Sequence, residues 1–115
     1  LLDRVDAVVS TASGCGVTVK DYGRLLAHDP AHAARARQVS ALARDVAEYL
    51  ADLGIAWSRE FACERVAWHA PCTLQHGQKV TGRVEALLEA AGYTLVPVRD
   101  PHLCCGSAGT YSILE

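Results

Sequence analysis

The feature that most constrains this chain is a pair of adjacent cysteines, Cys104 and Cys105, which Gly106 follows directly. Successive side chains of a strand point to opposite faces, so two neighbouring thiols reach one site only where the backbone bends. Gly106 permits such a bend. Cys72 precedes the pair with 31 intervening residues, which leaves room for a helix and a strand that lead the chain away and back. The pattern C-x31-C-C-G therefore predicts a metal site built from distant parts of the chain.

Three short apolar or β-branched runs predict strands, at residues 5–9, 65–69 and 93–98, and helical patterns lie between them. Strands that alternate with helices predict an α/β fold, in which a mainly parallel sheet is flanked by helices. Because ligands collect beyond the carboxyl ends of parallel strands, we expect the cysteine ligands at the carboxyl-end rim of the strands. One or two cysteines follow each predicted strand, namely Cys15, Cys72, Cys104 and Cys105.

Apolar residues at three- and four-residue steps predict the helices that cover this sheet. The first helix has Asp29 as its N-cap and Pro30 as its first helical residue, and it continues to Gly54. Residues 80–91 predict a second helix, and another is expected to begin near Gly109.

Charge and composition narrow the functional classes. A net charge of -2, with 21% charged residues and no block of like charge, does not suggest a nucleic-acid surface. No apolar run approaches the roughly 20 residues that span a bilayer, and no signal peptide is recognisable. The odd count of five cysteines favours a reducing compartment, so we expect a cytoplasmic protein without a membrane span. The absence of methionine suggests a piece of a longer protein.

Soft thiolate ligands favour an iron-sulfur cluster or zinc over calcium or magnesium. Zinc would need four tetrahedral ligands, which His69, Cys72, Cys104 and Cys105 could supply. Two adjacent cysteines would strain the turn around one small ion, whereas a cluster of several irons offers them separate corners. An iron-sulfur cluster is therefore the preferred interpretation, and zinc or inert buried thiols are the alternatives.

Other residues near the cysteines have supporting roles in this hypothesis. His69 and His76 flank Cys72, and each could donate a hydrogen bond to a cluster sulfur or could serve only in capping or packing. Gly106 would shape the turn that carries the cysteine pair. Cys63 precedes the second predicted strand and is interpreted as a structural or free thiol.

Two segments of the sequence resemble a known family. Residues 69–77, HAPCTLQHG, and residues 103–112, LCCGSAGTYS, resemble the cysteine-rich CCG domain of heterodisulfide reductase subunits and of the glycolate oxidase iron-sulfur subunit, the second more closely. The earlier TASGCG at residues 11–16 is similar to the end of a preceding repeat. The resemblance implies that residues 1–25 close a first repeat, 26–60 form a connecting helix region, and 61–115 begin a second, incomplete repeat, all within one compact domain fragment.

The resemblance also implies the cofactor. In the heterodisulfide reductase branch each repeat is associated with a noncubane [4Fe-4S] cluster held by five cysteines, of which Cys72, Cys104 and Cys105 match three, and the others would fall past residue 115. The earlier repeat retains only Cys15, because Ala12 stands where the fuller pattern has a cysteine. This departure favours the glycolate oxidase type, with Cys15 belonging to a separate site.

The function that the resemblance implies is electron transfer within an oxidoreductase complex. A flavin subunit would oxidise glycolate or another 2-hydroxy acid, and the iron-sulfur subunit would pass electrons toward the quinone pool at the inner face of the cell membrane. This segment would have no turnover of its own. The alternatives are a heterodisulfide-reductase-like or lactate-utilisation subunit, and a zinc-binding or structural module with no redox role.

Overall fold

The computed structural model describes residues 2–57 and 64–103, and it divides the chain into two compact units, Leu1–Gly54 and Ile55–Glu115. Both units combine helices with a pair of parallel strands, so the predicted α/β class is confirmed. The described strands form two separate two-stranded sheets. The predicted division at residues 25 and 60 stays a prediction. Several sequence-based assignments lie outside the described residues, namely those of Cys63, Cys104, Cys105, Gly106 and the helix near Gly109.

The first unit is built around one parallel strand pair. After a short 3-10 helix at Leu2–Arg4, the elements are β1 (Val8–Ser10), α1 (Ser13–Leu25), α2 (Ala33–Leu42), β2 (Ala43–Asp45) and α3 (Val46–Leu53). β1 and β2 pair in parallel, with Val8 opposite Ala43 and Ser10 opposite Asp45. The carboxyl ends of both strands therefore lie at one edge, and α1 and α3 each begin within a few residues of that edge.

The predicted single helix from Pro30 to Gly54 is wrong. The structure has two helices there, separated by β2, and the first begins at Ala33 instead of Pro30. The Asp29 carboxylate accepts hydrogen bonds from the backbone N–H groups of Ala31 and His32, which makes a turn before the helix. The end of the pattern is confirmed, because Gly54 terminates α3 in the left-handed conformation with φ of 61°.

Side-chain capping explains why the chain restarts a helix after β2. The buried Asp45 side chain accepts a hydrogen bond from the Ala47 N–H, and the Glu48 side chain accepts one from the Asp45 N–H, which completes a capping box. Lys20 of α1 forms an ion pair with the same Glu48 carboxylate. Burial works to raise the pKa of Glu48, but hydrogen bonds from Lys20 and from the Asp45 backbone outweigh it and lower that pKa. Glu48 is therefore ionised at neutral pH.

α1 and α2 approach closely around Gly23 and Ser40. A Cβ atom on Gly23 would lie 3.3 Å from the Arg37 Cα. The absence of a side chain at this position therefore allows α1 and α2 to pack closely. The Ser40 hydroxyl donates to the Val19 carbonyl at 3.0 Å and accepts from the Gly23 N–H at 2.9 Å. The buried apolar residues of this unit are all alanines, Ala36, Ala43 and Ala47, which fits packing by close backbone approach.

Ser40→Ala should destabilise the protein by about 1 kcal/mol, because both hydrogen bonds to α1 are lost in a partly buried position. Urea unfolding followed by circular dichroism would measure the change. Gln38→Ala is the matched control, since Gln38 lies on the same helix and is exposed, and we expect it to change stability by less than about 0.5 kcal/mol. Equal effects of the two substitutions would contradict a bridging role for Ser40.

The second unit has the same βαβ organisation. Its described elements are β3 (Arg65–Ala67), a single π-helical turn at Thr73–Gly77, α4 (Arg83–Ala90) and β4 (Thr94–Val96). β3 and β4 pair in parallel, with Arg65 opposite Thr94. Among the residues described in this unit, Leu74 and Val80 are the buried apolar ones.

The predicted strands at 65–69 and 93–98 and the helix within 80–91 are thus confirmed, each over a shorter range. Gly92 lies just past α4 with φ of 96°, which a residue with a Cβ atom rarely adopts. Among the described helices of the chain, none has both the length and the apolar character that a membrane crossing requires.

Candidate metal centre

Cys72 lies in the loop that leaves β3, five positions after Ala67, and it is the residue before the π-helical turn. The backbone N–H groups of Leu74 and Gln75 both donate to the Pro71 carbonyl, which fixes the chain around the cysteine. Cys72 is half-buried and takes no part in a disulfide. It therefore lies beyond the carboxyl end of a parallel strand, as the sequence predicted. Single π-helical turns are frequent at functional sites.

A histidine on the Cys72 loop contacts the segment that leads to the cysteine pair. The His69 Nε2 atom lies 3.0 Å from the carbonyl oxygen of Leu103, 34 residues away in sequence. Because a carbonyl only accepts hydrogen bonds, Nε2 must carry the hydrogen and donate it. This bond joins His69, three positions before Cys72, to Leu103, the residue directly before Cys104.

A glutamine on the other side of Cys72 makes a similar connection. The Gln75 amide nitrogen donates to the Ala70 carbonyl at 3.0 Å and to the Pro101 carbonyl at 3.3 Å. One side chain thus joins the loop after β3 to the segment before the cysteine pair. Gln75 was not among the predicted site residues. Its only signal in the sequence was a position three residues after a candidate ligand, in a segment that bears the family resemblance.

The indole of Trp68 supplies a further donor close to Cys72 in sequence. Its Nε1 atom is buried and has no hydrogen-bond partner among the described residues. A buried, unpaired donor costs about 1–3 kcal/mol, so such a group commonly has a partner in the functional protein. Trp68 was not among the residues predicted for the site.

Cys15 occupies an equivalent place in the first unit. It lies in the first turn of α1, five positions after the end of β1, and its side chain is exposed and in no disulfide. Its predicted role as ligand of a separate site stays a prediction. His76 is exposed in the π-helical turn, and its predicted donation to a cluster sulfur likewise stays a prediction.

Within residues 2–57 and 64–103, no group of three or more His, Cys, Asp or Glu side chains is arranged to hold a metal ion. Of the predicted ligands of this site, Cys72 lies within the described residues, and Cys104 and Cys105 lie outside them. The described geometry therefore contributes one candidate ligand and two hydrogen-bonding side chains, His69 and Gln75, that connect its loop to the segment preceding Cys104.

Comparison with protein families and with known proteins places these features in context. Residues 66–115 match the family model CCG, a cysteine-rich domain. Over 108 residues the chain is 49% identical to the glycolate oxidase iron-sulfur subunit of Escherichia coli strain K12, an alignment that covers 94% of this chain and 26% of that protein. No solved structure matches significantly.

Two further relatives carry other names. Lactate utilization protein A of Geobacillus kaustophilus is 29% identical over 110 residues, which are 94% of this chain and 46% of that protein. A fumarate reductase (CoM/CoB) subunit of Methanothermobacter marburgensis is 30% identical over 110 residues, covering 94% of this chain and 20% of that protein. The chain thus spans between about a fifth and a half of the length of these relatives.

Proposed function

We propose, from the match of residues 66–115 to the cysteine-rich CCG family model, that the chain forms part of the iron-sulfur subunit of a glycolate or related 2-hydroxy acid oxidase complex. Its partners would be the flavin-containing subunits of that complex, from which it would receive electrons, and indirectly the quinone pool, toward which it would pass them. The protein would be cytoplasmic, at the inner face of the membrane that holds the quinone. The similarity to the Escherichia coli iron-sulfur subunit over nearly the whole chain supports this proposal.

The observation that carries the proposal is the convergence of the Cys72 loop with the segment that precedes Cys104. Two hydrogen bonds, from His69 to Leu103 and from Gln75 to Pro101, join these segments across 34 and 26 residues of sequence. Cys104 follows Leu103 directly in the sequence, and we propose that the cysteine pair shares a centre with Cys72. Convergence of the three thiols is what a shared centre requires.

The residues present fit an iron-sulfur cluster. Cys72, Cys104 and Cys105 would hold it as thiolates. The Trp68 N–H, which has no hydrogen-bond partner in the described part of the chain, is a donor of the kind that stabilises cluster sulfur atoms. When bound, such a cluster supplies one-electron transfer. The side chains of this segment would bind it, shield it from water on the side of the half-buried Cys72, and donate hydrogen bonds. A [4Fe-4S] cluster, in cubane or noncubane form, is proposed from the family resemblance alone.

Similarity to lactate utilization protein A and to the fumarate reductase (CoM/CoB) subunit favours a second candidate with the same centre and a different partner. In that case the protein would serve a lactate-oxidising complex or one that acts on thiol substrates. The substrate of the partner enzyme distinguishes the two candidates.

Metal analysis of the full-length protein after anaerobic purification tests the proposal. We expect iron and acid-labile sulfide in comparable amounts, a brown colour, and an electron paramagnetic resonance signal in one of the two redox states. A colourless protein with stoichiometric zinc would reject electron transfer and would favour the zinc-binding or structural alternative.

A further inference from the structure

We propose that His69 and Gln75 are positioning residues, which hold the segment before Cys104 against the Cys72 loop in the protein without metal. The inference rests on the proposed function only in taking Cys72 and the vicinal cysteines as ligands of one centre. In this proposal the two side chains bring ligands from distant parts of the sequence together before the metal binds.

The two donors lie on opposite sides of Cys72 in the sequence. His69 lies three residues before the cysteine and Gln75 three residues after it, and their acceptors, the carbonyls of Leu103 and Pro101, belong to one short segment. A single hydrogen bond would leave that segment free to rotate about it. Two bonds from opposite sides of Cys72 to alternate residues restrain both its distance and its direction.

The Gln75 side chain is itself held in a fixed orientation by a second hydrogen bond. Its amide nitrogen has two hydrogens, and the structure directs one to the Ala70 carbonyl and the other to the Pro101 carbonyl. The bond to Ala70, within the Cys72 loop, fixes the orientation of the amide. The remaining hydrogen is therefore aimed at the incoming segment at little further cost in side-chain entropy.

Burial does little to hold the segment in place. Pro101, His102 and Leu103 are all exposed, and Leu103 retains 55% of its accessible surface. The Leu103 N–H bonds to the Asp100 carbonyl inside the same segment, which shapes it but does not attach it to the loop. Among residues 64–103, the hydrogen bonds from His69 and Gln75 are the contacts that join this segment to the Cys72 loop, and removing them should release it without opening a core.

A disulfide-trapping experiment on metal-free, full-length protein tests this positioning. The protein carries Cys105→Ser, so that Cys104 cannot pair with its neighbour, and limiting diamide oxidises nearby thiols in pairs. Trypsin cleaves after Lys79 and after Arg99, so mass spectrometry can quantify the disulfide-linked peptides that contain Cys72 and Cys104. We expect rapid formation of this disulfide when His69 and Gln75 are intact.

The variants separate the donor from the bulk of each side chain. His69→Leu and Gln75→Glu remove the donor at similar volume, and each should slow trapping about fivefold, as expected when one hydrogen bond is lost. His69→Gln keeps an amide donor near the position of Nε2 and should restore most of the rate. Circular dichroism and urea unfolding confirm that each variant is folded, and a purely structural role would predict no rescue by glutamine.

Equal trapping rates in all variants, or no Cys72–Cys104 disulfide in the protein with both donors, would overturn the inference. Metal analysis of the same variants with Cys105 restored tests the proposed function separately. Donor-dependent trapping in a protein that binds zinc or no metal would reject the iron-sulfur proposal and keep the positioning role. An iron-sulfur protein in which the trapping rate is the same with and without the two donors would keep the iron-sulfur proposal and reject the positioning role.

Discussion

Cys72→Ala should lower the iron and acid-labile sulfide content of the purified full-length protein by the amount that one cluster contains. The absorbance and the paramagnetic signal of that cluster should be lost as well. The thiolate of Cys72 is proposed as the ligand that the loop after β3 provides, and alanine offers no donor in its place. The loss should be close to complete, since ligands from the two segments must act together. Iron, sulfide and electron paramagnetic resonance measurements on anaerobically purified protein would record it.

Two matched cysteine variants make this result specific. Cys63→Ala should leave iron content unchanged, because Cys63 is predicted to be a structural or free thiol outside the ligand set. Cys15→Ala should leave the signal of the Cys72 site intact and affect only a second signal, since Cys15 lies in the other unit and is assigned to a separate site. Full iron content in Cys72→Ala, or loss of the same signal in Cys15→Ala, would contradict the assignment.

The strands and their cysteines could be predicted because their signals are local. β1, β3 and β4 each coincide with an apolar or β-branched run, and the cysteines that follow β1 and β3 lie beyond the carboxyl ends of parallel strands. β2 could not be predicted in the same way. Its sequence is Ala-Arg-Asp, which has no β-branched or aromatic residue, and its extended backbone reflects pairing with β1.

The missed break in the long helix has a related cause. The apolar residues on either side of β2 continue a helical period, so periodicity alone predicts one helix. The sequence did contain an opposing local signal, because Asp45 and Glu48 have the spacing of a capping box. That pattern predicts a helix that begins at Val46, and the structure has α3 begin there.

The positioning contacts at the candidate site depend on tertiary structure. His69 was recognised as a neighbour of Cys72, but its partner, the Leu103 carbonyl, is a backbone group that no sequence pattern marks. Gln75 reaches Pro101 only because β3 and β4 pair in parallel and return the chain to the same edge. The candidate ligands could thus be predicted from sequence spacing, whereas the side chains that join the Cys72 loop to the segment before Cys104 are determined by the folded backbone.

Asp45→Ala should destabilise the first unit by between about 1 and 2 kcal/mol, which is among the larger effects expected for a capping residue. The substitution removes the acceptor of the Ala47 N–H and leaves that donor in a buried position, where Asp45 itself is only 4% exposed. It also breaks the capping box at the point where β2 becomes α3. Urea unfolding followed by circular dichroism would show a lower midpoint.

Asp45→Asn is the matched control, because asparagine accepts the same hydrogen bond at an N-cap and differs mainly in charge. If capping is the dominant role, asparagine should retain most of the stability that alanine loses. Equal losses in both variants would instead indicate that the negative charge of Asp45 matters more than its capping bond. The strand-to-helix transition would then be an electrostatic feature of the carboxyl edge of the sheet, which is also the edge near which α1 begins and carries Cys15.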